Sequence, residues 1–399
     1  MHSAAPVFRG GAPYGVLLLL LALPRVHAQD RPAPWYERIR VSGDFRFRTE
    51  SFMQEGEPGR TRFRIRARVG ATTNLGDNFT AGLRLATNQP GNITSANVTL
   101  GDATAPKSFR LDRAYLTWTP GSWEFSAGKF ALPLERPQGL IRSELIFDDE
   151  IAPEGLHERL TVFRSDEGIL RRLAIQAEQW SMQEASTDDA WMFGGQASAD
   201  LALGRVAVDL HAGYYDFQRG RLLARARNGN DQLLITNDVR TRSGALVEGG
   251  TAVSPDPDDP FDRFEHDFRV GSASAGVAIP GVAGRTLSLF AEGARNTAIG
   301  DRNLGIWTGV SYGAVRAPGD WAVHVGWTRL EQEAVLSMFS YSDLGFGGTN
   351  TYGPILQGTW RPRGPVILQV RHHIMKPIRD AGENPSPVHR LQVDARVSF

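Results

Sequence analysis

The sequence contains no cysteine and only three lysines, Lys107, Lys129 and Lys376. The missing thiol excludes disulfide bonds, thiol catalysis and zinc–thiolate centres. The formal net charge is zero, with 44 basic and 44 acidic residues, so no overall field favours nucleic acid and we expect no nucleic-acid partner. The chain carries 43 glycines and 23 prolines, a composition typical of many strands joined by many turns.

A long apolar run is also missing beyond the first 28 residues. The N-terminus has a positive charge at Arg9, a short apolar run at 15–23 and a small-residue cleavage pattern ending at Ala28. These features predict a cleaved signal peptide over residues 1–28. Further along, no stretch approaches the roughly 18 apolar residues of a membrane-spanning helix. We therefore expect an exported chain without a helical anchor.

The dominant pattern of the remaining chain is a period of two. Near the C-terminus, Leu391, Val393, Ala395 and Val397 alternate with polar residues, which predicts a strand with one apolar face. About sixteen segments follow this pattern, and most reach the roughly 9–11 residues that a tilted strand needs to cross a bilayer. The predicted strands are 38–53, 60–74, 78–88, 109–118, 122–130, 156–164, 169–182, 189–202, 205–217, 264–279, 285–297, 303–315, 321–336, 351–361, 366–377 and 389–399.

The connections between these segments alternate in length. Short ones such as 76–78 are followed by longer ones such as 89–108, 131–155 and 218–263. A soluble sandwich has no reason to shorten every second loop, whereas an outer-membrane barrel has tight periplasmic turns and long external loops. The sequence therefore predicts an all-β fold, a transmembrane antiparallel β-barrel of about sixteen strands. Its terminal Phe399 would be presented to the barrel-assembly machinery.

Arginine occupies every second position of the stretch RTRFRIRARVG at 60–70, and the segment 38–53 repeats the pattern. An arginine facing lipid costs roughly 2–4 kcal/mol at the bilayer midplane, so these side chains should face a water-filled lumen. The alternative is that some of them extend toward lipopolysaccharide or solvate a rim. The predicted pore-lining wall comprises Arg38, Arg40, Arg46, Arg48, Arg60, Arg62, Arg64, Arg66 and Arg68.

The long connection 131–155 is rich in acids. If it folds into the barrel, its carboxylates would face the arginines and create a transverse field across a constriction, which can sort small polar solutes. The alternative is a solvated acidic surface loop. The acids concerned are Glu135, Glu144, Asp148, Asp149, Glu150 and Glu154.

Several blocks of the sequence resemble a family of Gram-negative outer-membrane proteins described as "Putative porin". They read SGDFRFR, RTRFRIRARVGATTNLGDNFTAGLRLATN, LDRAYLTWTP, AGKF and ELIFDDEIAPEGL, and the similarity is densest over residues 41–156. The resemblance implies a β-barrel channel for passive diffusion, without indicating a particular solute. The long loop 218–263 has no counterpart that we can place.

Motifs for chemistry are scarce. There is no G-x-S-x-G nucleophile motif and no phosphate-binding glycine loop followed by Lys-Ser/Thr. Asp256, Asp258 and Asp259 lack the spacing of an EF-hand calcium loop and indicate an acidic loop tip. His372 and His373 are adjacent, so on a strand they point to opposite faces and cannot clamp one metal. We expect no catalytic residue, no metal site and no cofactor.

The predicted function is that of an outer-membrane porin that lets small hydrophilic solutes diffuse passively, with a preference for anions set by the arginines. Two alternatives stay open: a closed barrel serving as an adhesin or structural anchor, and a barrel enzyme. A plugged barrel would carry large apolar residues at inward positions, where we find mainly Arg, Gln, Asp, Ser and Gly. Expected partners are outer-membrane lipid, lipopolysaccharide and, by analogy with general porins, two further copies in a homotrimer.

Overall fold

The computed structural model describes residues 34–137, 141–185, 188–249, 255–379 and 386–399. The predicted signal peptide, residues 1–28, lies outside these ranges. Sixteen long strands make up the sheet: β1 Arg40–Met53, β2 Arg60–Gly76, β3 Phe79–Thr87, β4 Phe109–Trp118, β5 Trp123–Lys129, β6 Glu154–Arg164, β7 Leu170–Gln183, β8 Ala190–Leu203, β9 Val206–Gln218, β10 Arg269–Val282, β11 Arg285–Asn296, β12 Leu304–Gly313, β13 Trp321–Leu330, β14 Thr351–Trp360, β15 Val366–Pro377 and β16 Val388–Ser398.

The short elements are two 3₁₀-helices and four small strands. One of these strands pairs with β2, and the other three form a separate small sheet. The helices are Trp35–Arg38 and Gly220–Arg227, and the strands are Val98–Thr99, Val239–Thr241, Leu246–Val247 and Phe261–Phe264. None of the helices in the described ranges is long and apolar enough to cross a membrane.

The sheet closes on itself. Each long strand is antiparallel to its neighbours in the chain, and β1 also pairs with β16. The closing ladder continues to the last residue, because Gly43 and Phe399 exchange backbone hydrogen bonds of 2.9 and 3.1 Å. A closed barrel satisfies its backbone groups without an edge, as a bilayer requires. The predicted sixteen-stranded antiparallel barrel is confirmed.

Two predicted strand boundaries differ from those in the structure by five residues or more. The segment predicted as 321–336 ends at Leu330, and the one predicted as 264–279 begins only at Arg269. Residues after Leu330 leave the ladder and turn into the barrel, where Val335 and Leu336 are buried. An apolar segment that packs inside the barrel has the same composition as a strand. The hydrophobic pattern alone therefore does not distinguish the end of β13 from the start of the following loop.

The two faces of the strands differ as the alternation predicts. On β1 and β2, Phe45, Phe47 and Phe63 are exposed on the outside, whereas Arg48 and Arg66 are buried within. At the end of the barrel with the short connections, hereafter the tight-turn end, Trp118 stacks on neighbouring aromatic rings. Such rings are typical of the aromatic girdles at the two membrane interfaces.

Several long connections at the opposite end enter or cover the barrel. We number the connections at that end in chain order, so that L3 is 130–153, L5 is 219–268 and L7 is 331–350. L5 packs on L7, since the side chain of Asn237 donates hydrogen bonds to the carbonyls of Gln332 and Val335 at 2.6 and 3.0 Å. L5 therefore covers L7 at the long-loop end.

An aromatic cluster fills part of the interior. Phe147 of L3 lies edge-on to Trp180 and Tyr215, with centroids 5.3 and 5.7 Å apart, and it also contacts Phe217 and Phe339. The expectation that inward positions are mainly polar or small therefore fails only where this cluster contacts the strands. Trp180, Tyr215 and Trp307 point inward there and pack against L3 and L7, whereas Gln176 and His211 are polar inward residues of the same strands.

Candidate permeation site

The arginines of β1 and β2 stand side by side. In the strand register, Arg46 lies opposite Arg66 and Arg48 lies opposite Arg64. Two like charges about 5 Å apart repel by roughly 0.8 kcal/mol even in bulk water, and by more where water is partly excluded. These rows therefore require carboxylates or counterions beside them.

Two of the carboxylates that neutralise these arginines belong to β1 itself. Asp44 accepts hydrogen bonds from Arg66 at 2.7 and 2.9 Å and from Arg68 at 2.6 Å. Glu50, which is fully buried, pairs with Arg62 and, at 3.5 Å, with Arg64. Acids at both ends of the arginine row thus neutralise part of its charge.

Two further carboxylates come from β16, which closes the barrel against β1, and from L7. Asp394 of β16 binds Arg48 through two hydrogen bonds of 2.7 and 2.8 Å. Asp343 of L7 contacts Arg48 at 3.2 Å and also pairs with Arg390, and Arg390 in turn binds Glu50 at 2.6 Å. Burial disfavours the charged form of Asp343, but Arg390 and Arg48 outweigh it and hold its pKa well below the usual range.

L3 contributes one acid to the same wall. Glu150 accepts hydrogen bonds from Arg46 at 3.2 Å, from Arg66, and from the backbone N–H of Ala96 at 2.6 Å. Burial opposes ionisation, yet the charges of Arg66 and Arg46 are stronger and place the pKa of Glu150 well below its usual range. An ionised carboxylate of L3 therefore faces the guanidinium groups of β1 and β2.

The other predicted loop acids do not pair with the arginines of β1 and β2, although Glu135, Glu144, Asp148 and Asp149 line the same interior cavity as Glu150. Glu135 pairs with Arg172, Asp149 with Arg136, and Glu154 belongs to β6, where it contacts Lys129 at 2.7 Å. Among the predicted arginines, Arg38 lies in the first 3₁₀-helix, while Arg40 and Arg60 are exposed at strand ends. The positions at the ends of the predicted wall are therefore not part of the buried network.

Glu144 and Asp148 join L3 to L7. The carboxylate of Asp148 accepts hydrogen bonds from the Ser342 N–H at 3.0 Å and from its hydroxyl at 2.8 Å. The backbone N–H of Asp148 donates to Phe339 O at 2.7 Å, and the N–H of Tyr341 donates to Glu144 O at 3.1 Å. The two loops thus form one unit inside the barrel.

This unit should be sensitive to pH. Burial and the charge of Glu150 raise the pKa of Asp148 to about 7, and burial together with Asp148 raises the pKa of Glu144 well above its usual range. Carboxyls with raised folded-state pKa values stabilise the packed loops at low pH, and that contribution is lost as pH rises from about 4 through about 7. We expect backbone amides of L3 and L7 to lose protection between pH 5 and pH 8.

Hydrogen exchange of the folded barrel, corrected for the intrinsic pH dependence, measures this loss. Asp148→Asn cannot ionise and should keep part of the protection at pH 8. Peptides from β9 serve as the internal control, since that strand contains neither carboxyl. Equal protection of L3 at both pH values would contradict the prediction.

A cavity of about 1190 Å³ lies between the wall and the loops. Its lining includes Arg46, Arg48, Arg66 and Arg68 together with Glu150 of L3. Arg62 and Arg64 do not line it, because both turn toward Glu50. Among the nine arginines of the predicted wall, the four nearest the middle of β1 and β2 are therefore the ones that a solute in the cavity would meet.

The adjacent histidines lie on opposite faces of β15. His373 is fully buried inside the barrel, and its Nε2 lies 3.3 Å from the Tyr341 hydroxyl oxygen. On the outside, Nε2 of His372 lies 3.2 Å from Nδ1 of His389. In L5, Asp259 accepts hydrogen bonds from Ser243 at 2.6 and 2.7 Å. In the described ranges, no group of three or more His, Asp or Glu side chains is placed to hold a metal ion.

A closed sixteen-stranded barrel with a charged interior cavity defines an outer-membrane β-barrel of the porin class. The family described as "Putative porin" matches residues 52–245 and 290–399, and the protein belongs to that family. Members of the family are channels rather than enzymes. No curated protein sequence matches the chain.

Solved structures support the fold. OprB of Pseudomonas putida, in a structure at high pH, aligns with a TM-score of 0.58 and 11% identity over 91% of this chain and 95% of that chain. OmpF of Salmonella typhi, in complex with daunomycin, aligns with a TM-score of 0.51 and 9% identity over 90% and 97%. At these identities the likeness concerns the fold.

Proposed function

We propose that this porin admits small hydrophilic solutes by passive diffusion and prefers anions. The observation that supports the preference is the charge balance of the wall formed by β16, β1 and β2. In the described ranges, this wall holds eight guanidinium groups beside five carboxylates, two of which come from L3 and L7. The arginines are Arg46, Arg48, Arg62, Arg64, Arg66, Arg68, Arg390 and Arg396, and the acids are Asp44, Glu50, Glu150, Asp343 and Asp394.

A surplus of positive charge along a water-filled passage raises the local concentration of anions. L3 and L7 would act together as the constriction, with Glu150 and Asp343 moderating the preference. The outward apolar band would contact outer-membrane lipid and lipopolysaccharide. Phe399, at the end of the closing strand, would be the residue presented to the barrel-assembly machinery after removal of residues 1–28. The proposal includes the assembly of three copies of the chain into a homotrimer.

Single-channel recording under a tenfold KCl gradient tests the preference. The wild-type protein should give a steady conductance with a reversal potential on the chloride side. The triple substitution of Arg46, Arg66 and Arg68 by Gln should move the reversal potential toward the potassium side, because it leaves Asp44 and Glu150 without their partners. An unchanged reversal potential in the triple variant would refute the role of the wall.

A matched control removes the same number of charges elsewhere. Arg164, Arg205 and Arg363 are exposed near the tight-turn end, and their replacement by Gln should leave the reversal potential close to that of the wild type. The control separates an effect of the wall from an effect of net charge.

One observation favours the second candidate, a closed barrel that serves as an adhesin or anchor. L3 and L7 fill part of the interior with the aromatic cluster around Phe147. The same recording decides between the two functions, since a correctly folded barrel of the second kind would not conduct.

A further inference from the structure

We propose that Arg46, Arg66 and Arg396 form a binding site for a divalent oxyanion, such as a phosphate group, within the barrel. The inference rests on the proposed function and deepens it. It adds a saturable site and a class of solute to a general preference for anions.

The three residues lie in one row across the seam. Arg46 of β1 is opposite Arg396 of β16 on one side and opposite Arg66 of β2 on the other. Residues opposite each other on antiparallel strands have Cα atoms about 4.5–5.5 Å apart, so three guanidinium groups share one level of the barrel. All three line the cavity of about 1190 Å³.

The carboxylates near this row do not balance it. Arg46 has one acidic partner, Glu150, which also pairs with Arg66. Arg66 shares its other acid, Asp44, with Arg68. The Nε atoms of Arg46 and Arg396 are buried without a hydrogen-bond partner, which is costly for charged groups.

Arg396 stands out because, among the described residues, it has neither an ion pair nor a side-chain hydrogen bond. Its nearest acid along β16, Asp394, is held by Arg48 through two hydrogen bonds. Arg68 lies next to this row on β2. In the described ranges, the only carboxylates that pair with these arginines, Arg46, Arg66, Arg68 and Arg396, are Asp44 and Glu150. The local surplus of two positive charges equals the charge of one dianion.

The chemistry of the donors narrows the ligand further. A guanidinium group is planar and offers parallel N–H donors that match two oxygens of a phosphate or a carboxylate. Chloride has one point of contact and cannot use that geometry, and a neutral sugar does not supply the missing charge. A compact anion with several oxygens satisfies both the charge and the hydrogen-bond donors of the row.

Calorimetric titration of inorganic phosphate into the folded, detergent-solubilised barrel at pH 8 and constant ionic strength tests the proposal. Binding should saturate at one site, and Arg396→Gln should weaken it at least tenfold. Arg363→Gln, which alters an exposed turn arginine, should bind as the wild type does. Absence of saturable binding, or equal binding by Arg396→Gln, would overturn the proposal.

Two additional titrations, one with a second anion and one with a lysine variant, define the ligand and the donors more closely. Succinate in place of phosphate asks whether a dicarboxylate shares the site: competition supports the common oxyanion chemistry, and failure to compete supports the tetrahedral phosphate. Arg396→Lys keeps the charge but loses the planar donors, so it should bind phosphate more weakly than the wild type but more tightly than Arg396→Gln. A heat-modifiable shift in gel mobility confirms that each variant is folded.

The same preparations are also recorded in planar bilayers. A barrel that conducts with anion preference but binds no phosphate would refute the site and leave the proposed function intact. A barrel that binds phosphate but does not conduct would refute the porin function and leave the site intact.

Discussion

Replacement of Glu50 by Gln is expected to lower the free energy of unfolding of the barrel by about 3–5 kcal/mol, the usual loss when one partner of a buried ion pair is removed. Glu50 is fully buried and accepts hydrogen bonds from Arg62, Arg64, Arg390 and Gln392. The glutamine has a similar shape but no charge. Three guanidinium groups would then share an interior without their common counterion.

Denaturant unfolding of the barrel in lipid vesicles, followed by tryptophan fluorescence, measures this change. Glu57→Gln is the matched control, since Glu57 is exposed in the connection between β1 and β2, and it should unfold as the wild type does. A Glu50→Gln barrel as stable as that control would show that water or ions already neutralise the three arginines.

The double variant Asp343→Asn/Ser342→Ala is expected to weaken the attachment of L7 to the wall and to L3, while the backbone hydrogen bonds between the two loops remain. Asp343 holds L7 to Arg48 and Arg390, and Ser342 holds it to Asp148. The two arginines keep Asp394 and Glu50 as partners, so the barrel itself should stay stable. A loosened loop narrows the passage less, and conductance should rise about twofold or more, with greater current noise.

Loss of the Asp343 charge should also move the reversal potential further toward chloride. Asp256→Asn in L5 removes one negative charge from an exposed position and serves as the control for charge alone. Unchanged conductance in the double variant would mean that L7 does not determine the width of the passage, whatever its contacts.

The sequence predicted the barrel because a period of two is a local property of each strand. The inward direction of Arg46 and Arg66 followed from the cost of placing a guanidinium group in lipid. Asp44 and Glu50 sit at the same parity as Arg46 on the same strand, and Asp394 has the same inward parity on β16. Their pairing with the arginines was therefore open to prediction from alternation and strand order, and it was missed because only the basic residues were counted.

The contacts of L3 and L7 with the strands could not be predicted from alternation and strand order. Asp343 meets Arg48 because L7 bends into the barrel, and no periodicity sets the path of a loop. For the same reason only Glu150 of the six predicted acids reaches β1 and β2, while Asp149 and Glu135 meet arginines elsewhere. Val335 and Leu336 were assigned to a strand because burial inside a barrel and burial in a ladder select the same residue types.

The seam between β1 and β16 also bears on how the barrel is completed. Arg48 obtains Asp394, and Arg390 obtains Glu50, only when the first and last strands of the chain meet. Before that moment each strand carries unneutralised charges along its inner edge, and an open sheet holding them is poorly suited to a bilayer. The final step of assembly therefore joins complementary charges as well as backbone groups, and the slip of two residues that sets Arg48 opposite Arg396 would also set Glu50 opposite Asp394. The ion pairs of the seam thus disfavour that slip when the cylinder closes.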